Sequence, residues 1–536
     1  MPQVALLDRA QTIASENFNR WLVPPAALCI HLSIGMAYGF SVFWLPMSHL
    51  ISGASTAACT HQGFFAQLTT TRCNWTVPAE THIFETFIAV LGISAAIWGG
   101  WLEHSGPRKA GFIAALCWGG GLILGGVGVA VHQLWLVYLG AGLLGGIGQG
   151  LGYIAPVSTL IKWFPDRRGL ATGFAIMGYG GGAMIGAPLA VWLMAHYAHN
   201  GVQGVSESLI ILGAIYVLVM SIGAFSFRVP PTGWHPQGYA PSSADSDQAM
   251  ITSRHVHLNR AIRTPQFWLI WLVLCLNVTA GIGVISMASP MLQDVFGAKL
   301  VAHSLASHPA LDSAIVAAAA GLVGLISLFN SLGRLFWAAI SDYIGRKRTY
   351  YTFFLAGIVL YVLLPTWGRF GIPALFVLSV CIILTMYGGG FSTLPAYLAD
   401  IFGTQMVGAI HGRLITAWSV AGIVGPALIA SLRQHELNQG IPRAQVYNST
   451  LYIMAGLLLA GLICNALIKP VSEQHYMSDT ELAQERALQK EQTTPNEVLS
   501  AARGRPGMLT LLAWVGVGIP FLIGVWIALA KGFALF

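Results

Sequence analysis

The chain is a succession of apolar runs, each about as long as a membrane is thick, separated by short polar turns. A helix rises ~1.5 Å per residue, so ~20 apolar residues cross a hydrocarbon core of ~30 Å. Runs of that length read at 24–46, 83–102, 110–131, 134–160, 169–195 and 208–228, then at 266–290, 313–340, 349–367, 372–398, 407–431 and 448–469. A further one lies at 508–530. The composition agrees, with 55% hydrophobic and only 9% charged residues. Soluble domains carry about 25% charged residues, so the reading is an all-α polytopic membrane protein rather than a large soluble core. Sixty-two glycines suit helices that approach one another closely in lipid.

The order of the runs sets the domain organisation. Residues 1–228 form an N-terminal bundle of six spans and 265–470 a C-terminal bundle of six. Between them, 229–264 (PPTGWHPQGYAPSSADSDQ and neighbours) has the Pro, Ser and Gly content of a flexible linker. A charged segment, 471–506, with a helical pattern at 478–491, leads to a thirteenth span within 507–536. Twenty of the 27 Lys and Arg fall in segments on one side of this scheme and six on the other, leaving Arg334. Basic loops face the cytoplasm, which puts the N-terminus inside and the C-terminus outside, in the periplasm if the membrane is a bacterial inner membrane. This placement accounts for the net charge of +7 without nucleic acid as a partner. The first span serves as an uncleaved anchor. Five cysteines fall within spans as small packing residues, while Cys59 and Cys73 share the long external loop 47–82 and could pair in an oxidising compartment.

Arg334 is the anomaly. The stretch GLVGLISLFNSLGRLFWAAISDYIGRK (321–347) is apolar enough to span, yet it holds this arginine eight residues before Asp342 at the membrane surface. Eight residues are about 12 Å of helix, near the middle of the hydrocarbon. A charge at that depth costs from roughly 3 to more than 10 kcal/mol and ordinarily faces a cavity or a partner. Arginine cannot shed its proton, so it needs an anion. No Asp or Glu lies at comparable depth in any span. Either the anion is a substrate, or the guanidinium bonds backbone carbonyls or a carboxylate near a span end.

Two loops repeat one pattern. After the second span comes Glu103-His104-Ser105-Gly106-Pro107-Arg108-Lys109, and after the eighth Asp342-Tyr343-Ile344-Gly345-Arg346-Lys347. In each an acid sits at a helix end, a glycine allows a tight turn, and basic residues stay in the cytosol. Glu103, Gly106, Arg108, Asp342, Gly345 and Arg346 are therefore candidate gating residues. This acid-x-x-Gly-basic loop resembles the signature of the major facilitator superfamily. More narrowly, residues 24–470 resemble the oxalate:formate antiporters and their monocarboxylate-transporter relatives. The resemblance rests on GQGLGYIAPVSTLIKWFPDRRGLATGFAIMGYG (148–180), the Arg334 stretch, MYGGGFSTLPAYLADIFG (386–403) and AIHGRLITAWSVAGIVGP (409–426). The last thirty residues are similar to a short single-span protein described as a small subunit of such transporters.

The resemblance implies two pseudo-symmetric six-helix bundles, with carboxylates bound in a central cavity that opens to each side in turn. The arginine of span eight is the family's carboxylate ligand, and Arg334 matches it; a guanidinium fork bonds carboxylate bidentately. Oxalate-selective members carry a lysine in span eleven after Thr-Ala, where this chain has Thr416-Ala417-Trp418. One cation beside an indole suits a monocarboxylate such as lactate or pyruvate better than a dianion. Monocarboxylate-transporter relatives often place an aspartate one turn before the arginine to couple a proton; here Asn330 stands there. Proton coupling then falls to His31, His411 or the substrate, with His31 also readable as a hydrogen-bonded core histidine; a counter-anion is the other coupling. Tyr38, Tyr153, Tyr179, Tyr387 and Phe391 match aromatic cavity residues of the oxalate carriers. They read either as site walls, with phenols bonding substrate oxygens, or as packing. The glycines beside them (Gly178, Gly180–Gly182, Gly388–Gly390) read equally as hinges or as close-packing points.

Other classes find no support. No phosphate-binding loop, H-E-x-x-H site or metal-ligand cluster stands in the sequence, which argues against a pump or an enzyme and implies no cofactor or metal. A transporter-like carboxylate sensor shares every feature above.

Overall fold

The computed structural model describes residues 6–15, 18–51, 63–199, 202–231, 234–236, 250–302, 308–490 and 507–533. Twelve helices among them are long and apolar enough to cross a membrane. They are Arg20–Gly39, His82–Ser105, Pro107–Ala130, Leu134–Trp163, Arg168–His196 and Val205–Ser226, then Pro265–Ala288, Arg346–Phe370, Pro373–Phe402, Val407–Asn438, Arg443–Leu467 and Met508–Ala530. Arg334 lies on a further helix, His308–Ile344. Counted in chain order with that helix eighth, these are spans one to thirteen. Pro107, Pro265 and Pro373 open spans three, seven and ten, where the missing N–H has no partner to lose. Cys73 is disulfide-bonded. Its expected partner Cys59 lies outside the described residues, as does most of the linker.

Several spans depart from uniform helices or run past their expected ends; span four, for instance, turns π-helical over Tyr138–Leu144. Span one is α-helical over Val23–Ile34, tightens to a 3-10 turn at Gly35–Gly39, and resumes at Ser41–Met47. That tight turn carries Tyr38. Span eleven is two helices, Val407–Leu414 and Thr416–Asn438, meeting at Ile415. Span seven belongs to a helix that continues to Ala302, well past the expected end at 290. One polar residue beyond that boundary is accommodated inside the fold: Asp294 accepts from Arg433 Nε at 2.8 Å and from the Tyr447 hydroxyl at 3.0 Å.

Spans pack mostly within their own set of six, three against six and eight against ten, for example. The two sets meet along two seams, span two against eleven and span five against eight. These pairs are related by the internal repeat, and the central residues lie between them. At the end carrying the repeated loops, Gly106 and Gly345 take φ of 84° and 87°. That left-handed geometry suits glycine alone among common residues, and it lets span three start straight after span two and span nine straight after span eight.

Candidate functional site

Arg334 is completely buried. Its Nε donates to Asn330 Oδ1 at 3.2 Å, Nη1 to the Ile176 carbonyl at 3.4 Å and Nη2 to the Tyr38 hydroxyl at 3.4 Å. A guanidinium has five N–H donors, and N–H···O bonds ordinarily lie at 2.7–3.2 Å. Three bonds at or beyond the long end leave much of that capacity unused. No ion pair reaches Arg334 among the described residues. The guanidinium also faces two rings, Phe391 at 5.2 Å and Tyr179 at 5.6 Å, which provide partial compensation.

The glycines around it act by close packing. A methyl group at Gly180 would stand 3.0 Å from Arg334 Nε, and one at Gly388 would stand 2.6 Å from Asn330 Oδ1. Spans five and ten run unbroken through these positions. Their backbones therefore approach the arginine closely, without a break in either helix.

The aromatic candidates gather beside the arginine. Trp418 stands 4.9 Å from Phe391, 5.3 Å from Tyr179 and 5.4 Å from Tyr153 between ring centroids. Tyr38 meets Tyr179 edge-on at 5.2 Å, and its hydroxyl lies 3.0 Å from that of Tyr387. This last contact joins spans one and ten on the side of Arg334 away from the repeated loops. Tyr38 alone of these residues is partly exposed. Several polar tips inside the cage have no hydrogen-bond partner among the described residues: the hydroxyls of Tyr153 and Tyr179, and Trp418 Nε1. Buried polar atoms are rarely left so, and each marks a place where a polar ligand atom or water would be stabilised.

The two histidines differ. His31 lies between two backbone carbonyls, with Nδ1 2.6 Å from Ala175 O and Nε2 3.2 Å from Tyr153 O. It has the surroundings of a hydrogen-bonded core histidine. His411 is equally buried, 5.8 Å from the Tyr153 ring, yet neither of its nitrogens has a partner among the described residues.

The repeated acids tie the two sets of six together. Glu103 accepts from Lys162 Nζ at 2.7 Å and Ser158 Oγ at 3.2 Å in its own half, and from Gly408 N at 3.1 Å in the first turn of span eleven. Asp342 accepts from Gly169 N and Leu170 N, each at 2.9 Å, in the first turn of span five. Each acid thus sits on a helix N-terminus of the opposite half, where free N–H groups and the helix dipole favour negative charge. Arg346 binds Asp342 at 2.6 Å and Asp400 at 3.1 Å, and Asp400 also accepts from Arg168 at 3.0 Å across the seam. Arg108 instead donates to the Leu6 carbonyl at 2.9 Å and holds the N-terminal segment. Lys162, Arg168 and Asp400 stand in the sequence analysis only inside the motifs that carry the family resemblance, with no role of their own. Arg168 at the start of span five and Asp400 near the end of span ten, opposite charges on the loop side, were the available signal. These contacts join the two halves at the loop end.

The family model described as Major Facilitator Superfamily matches residues 27–426 and, in a second match, 318–536. The chain is 30% identical over 283 residues to the oxalate:formate antiporter of Oxalobacter formigenes, an alignment covering 53% of this chain and 60% of that protein. It is 26% identical over 307 residues to apicoplast pyruvate carrier 1 of Toxoplasma gondii, covering 49% of this chain and 53% of that protein. The chain thus spans little more than half the length of these relatives. Among solved structures, the transporter FucP of E. coli in its outward conformation superposes with a TM-score of 0.57 at 13% identity, over 84% of this chain and all of FucP. That likeness concerns the fold. With the twelve membrane-length helices, the repeated loops and a family match over most of its length, the chain belongs to the major facilitator superfamily.

Proposed function

We propose that this protein is a secondary transporter of small organic anions, and that its substrates are monocarboxylates of the lactate and pyruvate type moved by alternating access. The observation that carries the reading is the buried Arg334, under-bonded and without an acidic partner among the described residues, beside the unpartnered tips of Tyr153, Tyr179 and Trp418. A carboxylate entering there takes the two-pronged guanidinium bond, and the phenols and indole donate to its remaining lone pairs. Tyr38, Tyr387 and Phe391 enclose the carbon skeleton. Trp418 in place of a second cation disfavours a dianion, which would face one positive charge in a poor dielectric. In this reading the two bundles, 1–228 and 265–470, rock about the cage. The loop end faces the cytoplasm of a bacterial inner membrane. The contacts of Glu103 and Asp342 form the gate on that side, and His411 is the better-placed proton carrier of the two histidines.

Exchange of oxalate for formate is the second reading, favoured by the 30% identity to an oxalate:formate antiporter. Uptake into proteoliposomes decides between them. Labelled lactate should enter faster than labelled oxalate at equal concentration. Faster oxalate entry overturns the monocarboxylate assignment, and no entry of either acid favours a sensor.

A further inference from the structure

The thirteenth span, within the helix Met508–Phe533, packs on spans one, five and eight. Its first turns are fixed to the N-terminal half: Trp514 Nε1 donates to the Trp21 carbonyl at 3.1 Å, and Asn19 Nδ2 to Thr510 Oγ1 at 3.3 Å. Val517 is buried with Leu28 and Met177. Farther along, Ala528 is buried with Met184 of span five and Leu328 of span eight, and lies 3.5 Å from where a methyl at Gly324 would stand. The helix therefore begins on one half and crosses the seam between spans five and eight.

Phe521 marks the crossing. A methyl on Gly181 would stand 2.6 Å from Phe521 Cε2 and 3.3 Å from Ser331 Oγ, so the ring lies directly on bare backbone. The neighbouring Gly180 faces Arg334 instead. The same stretch of span five supplies the Ile176 carbonyl to Arg334 and, at 3.0 Å, the Met177 carbonyl to Ser331 Oγ. One side of residues 176–181 thus carries the arginine, and the other carries the phenylalanine of the last helix.

We propose that Phe521 is a positioning residue for the carboxylate site: it presses the 176–181 backbone against span eight and so fixes the direction of the Arg334 fork. The last helix then belongs to the binding site as a supporting wall. This rests on the reading of Arg334 as the substrate's ligand. Phe521 does not touch the substrate, so its loss costs preorganisation of the bound geometry and leaves the rocking of the halves in place.

The test uses the full chain in proteoliposomes with labelled lactate, or labelled oxalate if the native carrier prefers it. Phe521→Ala should raise KM about three- to tenfold with kcat within about twofold of native, and Phe521→Leu should restore most of the loss. Gly181→Ala drives a methyl into the ring and should also raise KM. Adding Phe521→Ala to it should then recover affinity, because the methyl fills the space the ring vacated. Native KM in both Phe521→Ala and Gly181→Ala overturns the proposal, as does a fall in kcat with KM unchanged, which would mark a clamp on the seam. If Phe521→Ala does not assemble by size exclusion, Phe521→Leu and Gly181→Ala decide by the same criterion. Arg334→Lys separates the two levels. If it transports normally, the site reading itself fails; if it does not while Phe521 and Gly181 variants are native, only the role of the last helix fails.

Discussion

Span eight carries two charged regions that are neutralised in different ways. At its loop end, Asp342 is bonded by two backbone N–H groups of span five and by Arg346, which shares Asp400 with Arg168. Two turns earlier, Arg334 has three long bonds, two rings and no acid among the described residues. Breaking a buried ion pair by removing one partner costs about 3–5 kcal/mol, since it leaves a charge uncompensated. A network closed on itself therefore suits a lock between halves. An open valence suits a site whose partner arrives from outside.

The largest effect expected from this contrast is at Arg334. Arg334→Ala should abolish carboxylate uptake while the protein still assembles, because an incompletely paired cation is removed and no ion pair is broken. Arg334→Lys keeps the charge but loses the fork, and uptake should fall at least about tenfold. Uptake by a well-expressed Arg334→Ala protein at the native rate would break the comparison at once.

The next effect separates the two locks. Asp342 holds two N–H groups of the opposite half and Glu103 holds one. Asp342→Asn should therefore loosen the loop end more than Glu103→Gln. A charge at a helix N-terminus is worth about 0.3–2 kcal/mol, so the open fraction should rise by up to about thirtyfold. The measurement is maleimide labelling, from the loop side, of a cysteine at Thr393, with the other free cysteines replaced by alanine. Equal labelling in both variants would show that the locks do not differ.

Much of this was legible in the sequence because it depends on residue type and depth. Arg334 was found from its distance to Asp342 along one helix. The turn glycines Gly106 and Gly345 were found from the recurrence of one short pattern, and both have the positive φ that pattern needs. The pairings across the seams were not legible. Glu103 with Gly408, and Asp342 with Gly169, join positions far apart in the chain, and no local periodicity records which helix end an acid will meet. The glycines of spans five and ten were ambiguous for the same reason, since close packing depends on the neighbour's face. The docking of the last helix was least visible of all. Its apolar residues look alike in sequence, and only the tertiary fold picks out Phe521 as the one lying on Gly181.

The smallest effect, and the most informative about selectivity, concerns Trp418. Arg334 faces the rings of Phe391 and Tyr179, and Trp418 lies against the same two rings. Guanidinium and indole therefore share two ring neighbours. In the proposed reading, a substrate carboxylate on Arg334 would project its other end toward an apolar ring whose unpartnered N–H is the only donor it offers. On that reading the methyl end of lactate or pyruvate would be accommodated there, whereas a second carboxylate would stay uncompensated. Trp418→Lys supplies the missing cation, and the preference for oxalate over lactate should rise about fivefold, equivalent to about 1 kcal/mol of differential binding. The empty site pays for this, because two like charges ~8 Å apart repel by ~2 kcal/mol at an effective dielectric of ~20. Expression and absolute affinity for either acid can drop on that account, so the quantity to compare is the ratio of two acids within one variant. Inhibition of labelled lactate uptake by unlabelled oxalate, measured in the native and Trp418→Lys carriers, gives that ratio. An unchanged ratio would mean that the far end of the substrate never reaches the indole, and that Arg334 alone distinguishes the cage from the paired charges at the loop end.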